Sequence, residues 1–300
     1  MGSLREAAAG RRFGRAPARR QVPAAGAFRR LVRTPGTRLG LAILLLLAVA
    51  ALFAPWIAPY HPTLDASVMD ALTPPNERFL LGTDHAGRDV LSRLIYGARI
   101  SLTVGLVVQG IAVVVGTTLG LLAGYYGGWV DEVISGLTTI LQAFPGILFA
   151  MAVMAVLGPG LYNVFIALGL VGWSSIARLV RGEVLALRER EFVEAAWALG
   201  ASDLRILVRH ILPGCSGPII ISASLGMASA ILSEASLSFL GLGAQPPTPS
   251  WGSMLAQGRD YLWRAPWLTL YPGLAIFVTI LALNLVGDGL RDVLDPRLRD

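Results

Sequence analysis

The sequence predicts an all-α polytopic membrane protein with six transmembrane helices. Three observations carry that prediction. Mean hydropathy is +0.63, and only 15% of the 300 residues are charged, well short of the roughly one quarter found in soluble domains. Several apolar runs approach the ~20 residues that a helix needs to cross the hydrocarbon core. The short alternating segments of a membrane barrel do not appear, and in lipid only helices and closed barrels satisfy their own backbone.

Residues 1–38 hold ten Arg (5, 11, 12, 15, 19, 20, 29, 30, 33 and 38) and one acid, Glu6. We read a flexible basic tail that flanks a membrane span, in preference to a nucleic-acid-binding arm. The first span covers 39–58, with LGLAILLLLAVAALFA at its heart. A signal peptide is the rival reading, since Ala48-Val49-Ala50 has the look of a cleavage site. The long preceding segment and the apolar run beyond Ala50 favour an uncleaved anchor. A polar segment over 59–99 follows, in which Gly82, Asp84, Gly87 and Asp89 predict a turn capping a short helix. His85, Asp84 and Asp89 are too few and too close for a convincing metal site.

The second span covers 100–125. Gly116, Gly120 and Gly124 recur every fourth residue and share one face, a spacing that lets two backbones approach closely in lipid. The third span covers 133–157, with Pro145-Gly146 as a kink, and the fourth covers 161–180. The region 181–217 is polar. Its centre, EFVEAAWALGASDLRILVRHILP at 191–213, interleaves apolar and charged residues at helical spacing. We read it as a helix–turn–helix at the membrane surface, interrupted by Gly200 and stopped by Pro213. The fifth span covers 218–242, a Pro- and Trp-rich connector covers 243–266, and the sixth span covers 267–290 before a tail at 291–300.

Six spans place both termini on one side. With that side cytoplasmic, the inside holds ten Arg in the N-terminal tail, six over 178–209 and three over 291–299. The outside holds six, at 78, 88, 93, 99, 259 and 264. The positive-inside rule therefore puts 191–213 and the 291–300 tail in the cytoplasm, and 59–99 and 243–266 outside.

No catalytic constellation emerges, so a membrane enzyme is disfavoured. His61, His85 and His210 are scattered, and the lone Cys215 excludes an internal disulfide. All 25 basic residues are Arg. Without Lys there is no phosphate-binding GxxxxGK[ST] loop, so any ATP energy must come from another protein. Glu234 is the main charge within a span, either a helix contact or a pathway residue.

Glu194-Ala195-Ala196, three residues, Gly200, nine residues and then His210-Ile211-Leu212-Pro213 resembles the EAA signature of permease subunits of binding-protein-dependent ABC importers. His210 stands where the family pattern has Ile. LGTDHAGRDVLSRLIYGARISL (81–102), GYYGGWVDE (124–132), EASLSFLGLG (234–243), PSWGSML (249–255) and the run over 272–296 resemble the dipeptide/oligopeptide/nickel branch. The resemblance implies the type I importer permease fold and a multi-pass place in a bacterial cytoplasmic membrane. It implies a coupling role for Glu194, Ala195, Ala196, Leu199, Gly200, Leu212 and Pro213, docked on the ATPase. The partners implied are two ATPase subunits or domains, a second homologous permease, an extracytoplasmic solute-binding protein and the lipid bilayer, with no nucleic acid. The chain itself would hold no cofactor; ATP and Mg²⁺ would sit on the ATPases. The implied function is ATP-driven import of di-/oligopeptides by alternating access. A nickel or other small-solute permease is the alternative, ahead of an ion-coupled transporter or a non-transporting scaffold.

Overall fold

The computed structural model describes residues 34–294. The Arg-rich tail up to residue 33 and the last six residues, 295–300, lie outside them. Among the described residues the regular structure is helical: α1 (Pro35–Leu52), α2 (Ala54–Ile57), α3 (Val90–Tyr126), α4 (Gly128–Ala143), α5 (Gly146–Leu157), α6 (Leu161–Arg188), α7 (Glu191–Ala198), α8 (Asp203–Ile206), α9 (Leu212–Phe239), α10 (Trp251–Arg259) and α11 (Trp267–Leu294). A 3₁₀ turn spans Val68–Asp70, and a π-helical turn over Leu207–Ile211 joins α8 to α9. Five helical stretches are long and apolar enough to cross a membrane, or six if the bent pair α4–α5 is one span.

The bundle is organised around α3, which packs along α6 and also touches α1, α4 and α9. The glycine stripe explains how close α3 and α6 come. A Cβ at Gly116 would stand 2.6 Å from the Ile176 Cβ, one at Gly120 2.6 Å from the Ala177 carbonyl oxygen, and one at Gly124 2.6 Å from the Val184 Cβ. Real Cβ atoms do not approach their neighbours so closely, so only glycine permits this contact. The stripe is thus a dedicated contact face with α6 as its partner. Helix α9 packs on α3, α6 and α11, and α1 lies across α11 and α3.

At the α3 N-terminus, residues 60–89 fold over the bundle. Asp89 caps α3 by accepting from the Ser92 N–H at 2.8 Å. Asp84 accepts from the backbone N–H groups of Ala86 and Arg88 and from Arg88 Nε at 2.7 Å. These bonds occupy the two acids as turn and cap groups, and His85 stacks on Tyr261. Arg93, also buried, lies 3.4 Å from Asp84 and reaches the Pro62 carbonyl at 3.3 Å and Gln257 of α10 at 3.4 Å. Trp251 of α10 donates to the Leu94 carbonyl at 3.0 Å, and Trp267 of α11 to the Thr83 carbonyl at 3.2 Å. The fold of residues 60–89, the start of α3, α10 and the start of α11 are thus fastened together at one end of the bundle.

Four expected boundaries change. The short helix expected after Asp89 and the second span are one 37-residue helix, α3, about 55 Å long and well beyond the ~30 Å apolar thickness of a bilayer. The Pro145-Gly146 kink is a full break, and α4 and α5 meet at 93°. The fourth span runs on to Arg188, well into the region expected to be polar connector. Pro213 does not stop a helix. It lies in the first turn of α9, which follows the π turn without interruption. A proline ring in an α-helix collides with the carbonyl four residues back, here Arg209. The turn before it is π-helical, with the Leu212 N–H reaching back five residues to the Leu207 carbonyl, a local widening seen as single turns inside α-helices.

Candidate functional site

The 191–213 region is an angled element at the end of the bundle opposite α10. After α6 ends at Arg188, the chain reverses and α7 begins, with Glu191 and Glu194 in its first turn, where negative charge complements the helix dipole. The end of α7 is a Schellman motif. The Gly200 N–H donates to the Trp197 carbonyl at 2.9 Å, and the Ala201 N–H to the Ala196 carbonyl at 3.1 Å. Gly200 has φ +77°, a left-handed conformation that glycine adopts without steric cost. A Cβ there would meet nothing within 4 Å, so the requirement is the backbone angle and not space.

One face of the element is core. Val193 and Ala196 of α7, with Ile206, Leu207 and Ile211, pack into a cluster with Val180, Val184 and Leu187 of α6, joined at its edge by Leu121 and Tyr125 of α3. The other face is bare and apolar. Trp197 is 71% exposed, Leu199 88% and Leu204 71%. Glu194 and Ala195 share that exposed side. Of the sequence-derived set, Glu194, Ala195, Leu199 and Gly200 are exposed. Ala196 is turned inward, into the core cluster. Among the leucines, Leu199 and Leu204 face out, whereas Leu207 is buried. Leu212 packs beside the core and Pro213 is exposed. His210 is half-buried within the π turn, and nothing in the structure explains why it replaces Ile.

Three long-range contacts that sequence reasoning missed tie this element and its neighbours together. The Tyr125 hydroxyl, at the end of α3, donates to Asp203 Oδ1 at 2.9 Å. Arg188 Nη1 donates to the Gly124 carbonyl at 3.1 Å. Arg181 of α6 forms a two-bond ion pair with Asp131 of α4, with Nη2 at 2.6 Å from Oδ2, the planar geometry that makes guanidinium–carboxylate pairs strong. The only available sequence signal was the occurrence of Asp131 and Arg181 beside apolar spans, where ionisable groups require partners. Sequence could not pair groups 50 positions apart.

Glu234 is far along α9 from this element and is fully buried. Its Oε1 accepts from the Ser238 hydroxyl at 2.6 Å. The same hydroxyl accepts from the Ala244 N–H at 3.2 Å. A Cβ on Gly252 would collide with the Ala235 carbonyl oxygen, so the α10 N-terminus rests directly on α9 here. Ser250 and Ser253 close a capping box at that N-terminus. Glu234 therefore sits at the α9–α10 contact.

Comparison with known proteins adds a second, independent line. The family model for the binding-protein-dependent transport system inner membrane component matches residues 116–300. That for the N-terminal TM domain of oligopeptide transport permease C matches residues 23–75. The chain is 48% identical over 267 residues to the di/tripeptide transport system permease protein DppC of Pseudomonas aeruginosa, covering 87% of this chain and 88% of that one. It is 45% identical over 273 residues to the dipeptide transport system permease protein DppC of Alkalihalophilus pseudofirmus, covering 91% and 90%. It is 46% identical over 260 residues to the glutathione transport system permease protein GsiD of Pectobacterium atrosepticum, covering 87% and 86%. A solved inward facing conformation of the MetNI methionine ABC transporter superposes with a TM-score of 0.55 at 19% identity, covering 67% of this chain and 96% of that chain, which shows a shared fold.

Proposed function

This chain belongs to the family of inner membrane components of binding-protein-dependent transport systems, as a non-catalytic permease of the dipeptide/oligopeptide type, and from that premise we propose that it carries di- or oligopeptides across a bacterial cytoplasmic membrane by ATP-driven alternating access. The peptide cargo is supported by the relatives named for dipeptide and di/tripeptide transport. The energy enters at the 191–213 element, which lies in the cytoplasm and docks on an ATPase subunit that holds ATP and Mg²⁺. A second, similar permease completes the pathway, and an extracytoplasmic solute-binding protein delivers cargo at the opposite end, where residues 60–89 and α10 form the surface.

The observation that carries the docking claim is the split character of α7. One face is anchored in the core through Val193 and Ala196, while Trp197, Leu199 and Leu204 stand exposed beside Glu194. A large apolar patch rimmed by charge marks an interaction surface. Through this buried face the element shares one packed cluster with α6, α8 and α9, the route by which a push on the docked face would pass into the bundle.

The test is reconstitution of the whole transporter in vesicles with labelled dipeptide, using Glu194→Arg and Gly200→Val. The first reverses a charge at the docking face. The second forces a β-branched residue into the left-handed region, a cost on the order of 1–2 kcal/mol. We expect weaker co-purification of the ATPases and loss of ATP-driven uptake in both. Full uptake together with full ATPase association in either variant would refute the docking assignment.

A further inference from the structure

Helices α9 and α11 pack against each other, and each leaves one stripe only partly covered. On α11 that stripe is Leu270, Leu274, Phe277 and Leu281, all exposed, side chains as apolar as the lipid tails they would meet. On α9 the same alternating steps of four and three fall on Ser222, Gly226, Ser229, Ser233 and Ser236, positions that share one helix face. Ser229 is exposed and the others are half-buried. The Ser236 hydroxyl donates to the Leu232 carbonyl at 2.8 Å. Those of Ser222, Ser229 and Ser233 have no hydrogen-bond partner among the described residues.

A second polar group reaches the middle of this stripe from α3. Gln109 is only 9% exposed, and its carboxamide lies against Gly226: a Cβ there would stand 2.6 Å from the Gln109 Cδ. The absence of a side chain at Gly226 is what makes room for the amide. This carboxamide, too, has no hydrogen-bond partner among the described residues. Gly226 stands midway along Leu212–Phe239, so the orphaned amide lies deep in the bilayer, where an unmet polar group is costly.

Chemistry selects what covers the stripe. Lipid tails offer no hydrogen bond. A helix of a second permease uses its own backbone groups internally and has none to spare. A peptide in transit carries an unused N–H and C=O at nearly every residue. Hydroxyls and a carboxamide both donate and accept and carry no charge, so they match either backbone group whatever the cargo's side chains.

We propose that Gln109, Ser229 and Ser233 form a subsite, midway across the membrane, for the main chain of the di- or oligopeptide cargo. The proposal deepens the transport reading given above and rests on it. It places the α9 serine stripe on the pathway and the α11 leucine stripe against lipid.

The test uses the whole transporter in vesicles, with cysteine-free partner subunits and with dialanine, a cargo that is almost all main chain. Ser229→Cys and Ser233→Cys are exposed to a charged, membrane-impermeant methanethiosulfonate, beside Leu274→Cys of α11. Cys215 stays in place, because it is fully buried. We expect both serine positions to react at least about tenfold faster than Leu274→Cys, since a charged reagent avoids lipid, and dialanine to slow that reaction. Gln109→Met nearly conserves volume and removes the amide. Its initial rate of dialanine uptake should fall roughly two- to tenfold, the range that one hydrogen bond covers. Its thermal midpoint should not fall, because an apolar group replaces an orphaned polar one, and the ATPases should still co-purify. Ser229→Cys and Ser233→Cys reacting no faster than Leu274→Cys, or reacting without protection by dialanine, overturns the proposal. Undiminished uptake by Gln109→Met does so too, as does a loss of uptake that comes with a lowered midpoint, which would make Gln109 a packing residue. A parent transporter that takes up no dialanine removes the transport reading itself, and that outcome is visible before any cysteine is placed.

Discussion

Replacing Gly120 by alanine adds a single methyl group to a helix that crosses the membrane, and two effects compete for the sign. In a helix interior alanine is favoured over glycine by about 0.8–1.0 kcal/mol. Against this, the new Cβ would stand 2.6 Å from the Ala177 carbonyl oxygen and 2.8 Å from the Val180 Cβ. The first neighbour is backbone and cannot swing aside. To bring 2.6 Å to an ordinary contact near 3.4 Å, α3 and α6 must separate locally by about 0.8 Å, and overpacking of this kind costs about 1–3 kcal/mol. Packing wins, and Gly120→Ala is destabilising by up to about 2 kcal/mol net. The control is Gly110→Ala, ten residues earlier in the same helix, where a Cβ meets nothing within 4 Å. There only the propensity gain remains, about 0.8–1.0 kcal/mol of stabilisation. Thermal unfolding of the two variants in detergent, at one scan rate, should therefore move the midpoint in opposite directions. A Gly120→Ala midpoint raised as much as that of Gly110→Ala would refute the close-approach argument for the whole stripe.

Two other substitutions probe the opposite end of the bundle. Asp84→Asn removes the carboxylate that faces both Arg88 and Arg93; breaking a buried pair costs about 3–5 kcal/mol, and limited proteolysis should show cleavage within residues 60–89 at concentrations that leave the parent intact. Glu234→Gln keeps an oxygen that accepts from Ser238, so ATP-driven dipeptide uptake should be retained within about threefold, about the cost of one weakened hydrogen bond; abolition of uptake would instead favour ion coupling through this residue.

Some elements were legible in the sequence because their cause is local. Asp89 as a helix cap, the glycine face of α3 and the amphipathic character of α7 each follow from the spacing of a few residues. The 93° break was legible as a place but not as an angle, since Pro145 interrupts a helix whereas packing against α6 decides where α5 then goes. Pro213 misled for the complementary reason. A proline normally ends the pattern before it, and the π turn that absorbs it here has no signature in the composition of Leu207–Ile211. The inward face of Ala196 depended on where α7 lies on α6, which no local pattern encodes. The contacts of Tyr125 with Asp203 and of Asp131 with Arg181 link residues 78 and 50 positions apart, a separation that no local pattern spans.

The passage of the chain through Pro213 without interruption has a mechanical consequence. Asp203–Phe239 is one continuous helical stretch of 37 residues, about 55 Å from end to end, with the π turn and Pro218 within it. It begins in the 191–213 element and ends where Glu234 and Gly252 seat α10. If such a stretch pivots near its middle by about 10°, its two ends travel about 5 Å in opposite directions. Under the docking reading proposed above, a small push at one end of the helix would become a displacement of the other end.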